Sequence, residues 1–248
     1  ITNPNTLGLF EEHIVEVVEL IHNCGGLVYG DGANMNALMG IVRPGDLGFD
    51  VIHYNLHKTC STPHCGGCPG SWTMGFSERL TSFLPAPVID ILEEDPSGEP
   101  VYGFTTPDKS IGRMKAFYGN FAMMVRAYAY MRANGGDGLR FVSEIAVLNA
   151  NYIRVRLRDT YHVPYDRINM HEFVEEGRWP DVEGIHALDI SKRLMDYGLH
   201  PPTNYFPLIV HEALMIEPTE TESKESCDYF VEAMLKIAEE ARTEPELL

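Results

Sequence analysis

Hydrophobic positions along this chain switch between helical and strand-like spacing. Over residues 9–23, Phe10, Ile14, Val17, Val18 and Ile21 recur at helical intervals against Glu11, Glu12, Glu16 and Glu19. That pattern predicts a helix with one apolar and one acidic face. Gly25-Gly26 ends it, and Leu27-Val28-Tyr29 is short and apolar enough for a buried parallel strand. A second strand is predicted over 51–56, where Val51, Ile52 and Tyr54 follow a turn-like Asp46–Asp50 segment. From Ser77 to Val101 the pattern is lost: four prolines interrupt it, and Glu93-Glu94-Asp95 reads as a solvated loop. Residues 111–133 look helical again, with Met114, Phe117, Phe121, Met124, Val125, Tyr128 and Met131 in a stripe suited to core or oligomer contact.

Gly135-Gly136-Asp137-Gly138 predicts a break before a long helix over 141–158. Beyond Asp159 the pattern predicts a strand at 168–174, a helix at 187–197 and strands near 205–210 and 214–216. A final helix over about 224–242 takes Ser223 or Thr221 as its cap. Alternating strands and helices predict a doubly wound α/β sheet, in which ligands collect at the carboxyl ends of strands. The domain boundary is expected near residue 158.

A chain of 248 residues supports one or two domains with a sizeable core. Its net charge of −17 argues against a nucleic-acid partner. No apolar run approaches the ~18 residues of a membrane-spanning helix. Five cysteines, mixed with other metal-binding residue types, suit a reducing cytoplasm better than a secreted disulfide scaffold.

Two residues at predicted strand ends change the picture. Lys58 closes the run Asn55-Leu56-His57-Lys58, and Asp31 follows Gly26–Gly30. An ordinary lysine amine, with a pKa near ~10.4, is protonated and snorkels into solvent; desolvation or nearby cations make it a nucleophile for Schiff-base formation. Pyridoxal phosphate (PLP) requires such a lysine, together with an acid against its ring nitrogen. Ala33 completes an Asp-x-Ala triplet whose small side chain suits a flat ring face, although such triplets also cap helices. A separate chemistry competes at Cys60, Cys65 and Cys68, whose C-x4-C-x2-C spacing resembles that of plant-type iron–sulfur proteins, with His64 beside them. The fourth ligand would come from His53, His57, Cys24 or Cys227.

The runs Thr2–Glu11, Tyr29–Ala37, Arg43–Gly48, Asn55–Thr59, Lys109–Arg113, Ala146–Tyr152, Tyr205–Val210 and Glu212–Glu225 resemble, in order, the glycine decarboxylase family, the P-protein of the glycine cleavage system. They look most like the C-terminal half of the lysine-bearing subunit 2 of its two-subunit form. The resemblance implies the aminotransferase-like fold type I of PLP enzymes. Residues 1–158 would be the C-terminal part of the PLP-binding large domain and 159–248 a small C-terminal α/β domain. It further implies PLP held covalently by Lys58, with Asp31 as the other catalytic residue. Ala33, His57, Thr59 and Asn3 would contact the cofactor, and Asn34, His64 and His200 would line the substrate mouth; no metal ligand is assigned. The expected reaction is that of glycine dehydrogenase (aminomethyl-transferring, decarboxylating): carbon dioxide leaves glycine, and the aminomethyl group passes to the lipoyl group of H-protein. Expected partners are that carrier and P-protein subunit 1, in a cytoplasmic heterotetramer. Family members carry an aromatic residue at position 60, an unbroken glycine run around 65–68 and a small residue at 72, so Cys60, Cys65, Cys68 and Trp72 depart from the pattern. Another PLP-dependent decarboxylase, a desulfurase-like enzyme and a non-catalytic iron–sulfur or zinc module therefore remain as alternatives.

Overall fold

The first helix, α1, spans Ile14–Asn23 and buries Ile14 and Val18 while Glu16 and Glu19 stay in solvent. It ends where predicted, because Gly25 adopts a φ of 77° that side-chain-bearing residues disfavour. The Gly26 N–H then reaches the Ile21 carbonyl at 2.9 Å and the Gly25 N–H that of His22 at 2.9 Å, a Schellman closure. This computed structural model describes residues 1–64, 70–114 and 116–248.

Strand β1 covers Tyr29–Gly32, two residues later than the apolar run suggested, so Asp31 lies within the strand. It pairs in parallel with β2 (Val51–Asn55), in a register that sets Tyr29 opposite Val51 and Asp31 opposite His53. Gly32 is required here: a Cβ would lie 2.1 Å from the His53 carbonyl oxygen. A single helical turn, α2 (Leu56–Thr59), follows β2, and β3 (Trp72–Phe76) returns antiparallel to it. Asp50 locks this arrangement. Its buried carboxylate accepts from the Val28 N–H at 2.8 Å, His22 Nε2 at 2.8 Å and the Arg79 guanidinium at 3.1 Å. Burial works against ionisation, but these donors outweigh it and hold the pKa at about 2.

The stretch expected to be irregular forms a hairpin, β4 (Val88–Glu94) with β5 (Pro100–Thr105). Asp95 shapes its turn, accepting from the Ser97 N–H at 2.8 Å and the Glu99 N–H at 2.9 Å. Ile89, Ile91, Tyr102 and Phe104 share one face, which is exposed, and the register shift between Ile91 and Glu93 puts Leu92 in a bulge that breaks the period-two pattern. Pro100 is tolerated as the first residue of its strand.

Helix α3 (Phe121–Leu157) starts ten residues after the expected 111. Met114, Phe117, Phe121 and Tyr128 are exposed, so the aromatic–methionine stripe is not core within this chain. The helix is interrupted at Gly135, with φ 66° and ψ −177°, at the break the glycines predict.

The residues divide into two compact units. One comprises Ile1, His13–Ala33 and Pro44–Arg132, and the other Thr2–Glu12, Asn34–Arg43 and Ala133–Leu248. The second unit contains β6 (Phe173–Glu176), α4 (Ala187–Asp196), β7 (Thr203–Asn204), β8 (Ala213–Ile216) and α5 (Lys224–Thr243). Its antiparallel sheet has the order β6-β8-β7. Leu157, Phe173, Ile190, Leu194, Leu214, Val231 and Met234 share its core. The strand expected from 168 begins only at Phe173. The one expected over 205–210 is instead a turn, since Tyr205 takes φ 58° and Pro207 has no N–H to give a ladder. Ser223 caps α5 as expected, its hydroxyl accepting from the Ser226 N–H at 3.2 Å. Among the described residues, β1–β2 is the only parallel pair, and no helix is long and apolar enough to cross a membrane.

Candidate active site

Lys58 is not on a strand. Asn55, with extended dihedrals, ends β2 and starts the α2 turn, in which successive side chains rotate by about 100°. Leu56, Thr59 and Cys60 therefore share the inward side, where Leu56 and Cys60 pack with Ala127, Tyr54, Tyr130 and Met131. Lys58 is left on the outer side, exposed and in no ion pair among the described residues. This corrects the strand-based expectation of alternating faces: helical geometry, not pleating, separates Lys58 from Thr59.

Asp31 stands on the neighbouring parallel strand. Its Oδ1 accepts the Ala33 N–H at 3.0 Å, so Ala33 closes a tight turn on the carboxylate. His53 Nε2 lies 3.5 Å from the same oxygen, and the Tyr29 hydroxyl is 2.6 Å from His53 Nδ1. With the hydroxyl donating to Nδ1, the imidazole presents Nε2–H to Asp31. Tyr29 and Asp31 share one face of β1 because they are two apart, and the register brings His53 opposite. This Tyr29–His53–Asp31 chain was missed in the sequence, where His53 entered only as a possible metal ligand. The period-two spacing of Tyr29 and Asp31 was the available signal, but only the register supplies the partner.

His57 is partly buried beside Lys58, with the His64 ring edge-on at 4.5 Å between centroids. Burial first, then the His64 and Lys58 charges, hold the His57 imidazole below its ordinary pKa, against a hydrogen bond with the Ser71 backbone. Thr59 is buried, and its hydroxyl has no hydrogen-bond partner among the described residues. Trp72, where the family resemblance calls for a small residue, pairs with Asn55 and is exposed.

Asn3, Asn34 and His200 belong to the second unit. Asn3 is buried and its Oδ1 accepts the Glu11 N–H at 2.9 Å; Asn34 Nδ2 donates to the Pro4 carbonyl at 3.0 Å. His200 is exposed at a cavity of about 380 Å³ that Glu217, Cys227 and Phe230 also line. Cys60 lies in an apolar cluster, where burial pushes its thiol up to about 11. Cys65 and Cys68 lie outside the described residues.

Residues 142–246 match the family described as "Glycine dehydrogenase, C-terminal domain". The whole chain is 58% identical over 250 residues to the probable glycine dehydrogenase (decarboxylating) subunit 2 of Chlorobaculum tepidum, covering 51% of it. The resemblance to the glycine decarboxylase family holds from end to end. The chain spans about half the length of the curated relatives it matches. Among solved structures, glycine decarboxylase (P-protein) of the glycine cleavage system in inhibitor-bound form superposes with a TM-score of 0.79 at 20% identity, over 96% of this chain and 54% of that one. A C-DES structure with glycine covalently linked to its PLP cofactor gives a TM-score of 0.65 at 12% identity, over 92% of this chain and 57% of that one. The chain thus shares the fold of both structures.

Proposed function

We propose that this chain is the lysine-bearing part of a PLP-dependent glycine dehydrogenase (decarboxylating) subunit 2, working in glycine cleavage. One observation carries the reading: Lys58, exposed one helical turn beyond β2, and Asp31 near the carboxyl end of the adjacent parallel strand, in a chain similar throughout to that subunit. The two residues fit the cofactor. Lys58 offers an amine in no ion pair among the described residues, and Asp31 has only one of its oxygens engaged by the Ala33 N–H and His53. When bound, PLP supplies a ring that accepts the electron pair left behind as carbon dioxide departs.

In this reading Lys58 tethers the cofactor, and Asp31 holds a proton on the ring nitrogen. The Tyr29–His53 pair fixes the Asp31 carboxylate, so that its orientation is set before substrate arrives. Ala33, whose N–H is held by Asp31, would contact the cofactor. A neutral His57 beside Lys58 avoids adding a positive charge next to the amine. Thr59 would contribute to cofactor binding, and His64 would line the substrate mouth. The substrate is glycine, and the aminomethyl group goes to the lipoyl group of H-protein. P-protein subunit 1 completes a cytoplasmic heterotetramer.

The test uses full-length subunit 2 with subunit 1 and lipoylated H-protein. Labelled bicarbonate should exchange into the glycine carboxyl, and bound cofactor should give visible absorbance that borohydride bleaches. Both signals should vanish in Lys58→Ala. Exchange that survives Lys58→Ala, or borohydride fixing the cofactor on another lysine, overturns the proposal.

A further inference from the structure

We propose that His171, Glu172 and Glu217 form a binding site for one divalent cation of the zinc class, in the second unit. The site arises from sheet topology. His171 and Glu172 immediately precede β6, Glu217 immediately follows β8, and these strands are antiparallel with Phe173 opposite Ile216. The position before one strand and the position after the other are therefore neighbours, although far apart in sequence.

The donor atoms converge. His171 Nε2 lies 3.7 Å from Glu172 Oε2 and 3.6 Å from Glu217 Oε1, and one ligand atom from each of the three falls within 4.8 Å of the others. These separations exceed hydrogen-bond length. The two histidine–carboxylate separations are a few tenths of an ångström wider than the roughly 3.4 Å edge of a tetrahedron with ~2.0–2.1 Å metal bonds. The roughly 3.0 Å edge of a magnesium octahedron is a poorer match, and an imidazole donor disfavours magnesium and calcium, which take oxygen ligands.

Charge and bracing point the same way. His171 and Glu172 are buried, and a cation bound between them and Glu217 would offset the repulsion of the two carboxylates. Two amides already orient the carboxylates: Asn34 Nδ2 contacts Glu172 Oε1 at 3.4 Å, and Asn36 Nδ2 contacts Glu217 Oε1 at 3.4 Å. Such outer hydrogen bonds are what aim carboxylate ligands at a metal. Glu217 is exposed, which gives the ion a way in and leaves a fourth position for water. Bound there, the cation would tie the Asn34–Asn36 segment to the ends of β6 and β8 and so act as a structural clamp. This inference does not depend on the proposed catalytic reaction. A doubly paired imidazolium is the competing arrangement, and it requires no metal.

The full-length subunit, purified with its partner, stripped with a chelator and reloaded with Zn²⁺, should retain one ion per chain through buffer exchange. Co²⁺ in its place should give visible d–d absorption of a low-coordinate site. Glu217→Gln, at an exposed position, should fold with an unchanged circular dichroism spectrum yet bind Zn²⁺ at least tenfold more weakly and lose the Co²⁺ band. Zn²⁺ should raise the melting temperature of the parent protein and not that of the variant. His171→Gln should behave likewise; if it does not fold, Glu217→Gln decides alone. Failure of the parent protein to retain Zn²⁺, or equal affinity in parent and Glu217→Gln, overturns the assignment.

Discussion

Glu175 offers the sharpest test of how this fold manages charge. It sits in β6 opposite Leu214, fully buried, and neither carboxylate oxygen has a hydrogen-bond partner among the described residues. Burial alone drives its pKa well above the ordinary carboxylate value, and Tyr161 nearby is pushed up as well, by burial and then by Glu175. The folded protein therefore holds the proton on this acid to a higher pH than the unfolded chain, which ionises it near ~4.3. Because the folded pKa is the higher one, the native state is best favoured below the unfolded value. It loses about 1.4 kcal/mol for each pH unit above it, until the folded pKa is reached. Between pH 5 and pH 7 the loss is thus up to about 2.7 kcal/mol.

Glu175→Gln keeps the shape and cannot ionise. Urea unfolding followed by the fluorescence of Trp179, which is in the same core with its ring 5.0 Å from that of Tyr161, should show the variant gaining on the parent as pH rises from 5 to 8. The corresponding gain in melting temperature at pH 7 is about 5–10 °C for a chain of this size. Parallel pH profiles for the two proteins would refute the reasoning, since Glu175 would then be ionised or solvated in the folded state.

Asp50 should show the opposite sign. Its folded pKa of about 2 lies below that of the unfolded chain, so its contribution is present above about pH 4 and fades as pH falls toward 2. Asp50→Asn should cost about 1–2 kcal/mol at pH 7, trimmed by solvent at the half-exposed Arg79 end, with the difference from the parent shrinking in acid unfolding below pH 4. Alkylation of the native protein with peptide mapping should label exposed Cys24 at once, and buried Cys60 and Cys227 only after denaturant is added. Rapid native labelling of Cys60 would contradict its place in the apolar cluster.

Much of the site was readable because its chemistry sits in short runs. Asp31-Gly-Ala and Asn55-Leu-His-Lys are contiguous, and a residue type with a required role is visible without knowing the fold. His53 was not readable as a partner of Asp31, because only strand register puts positions 31 and 53 side by side. The β4–β5 hairpin escaped because its alternation is short: Leu92 interrupts the Ile89–Ile91 pattern at a bulge, and Pro96 and Pro100 read as breaks.

By itself the sequence determined the amphipathic helices α1 and α5, the Gly25 and Gly135 breaks and the Ser223 cap. These depend on interactions within a turn or two of chain, where side-chain type nearly dictates conformation. Tertiary structure alone decided that Lys58 rides a helical turn, that Asp31 is braced by His53 and Tyr29, and that His171 and Glu172 meet Glu217. The last two result from pairing between distant segments, and local sequence carries no record of which segment will arrive alongside.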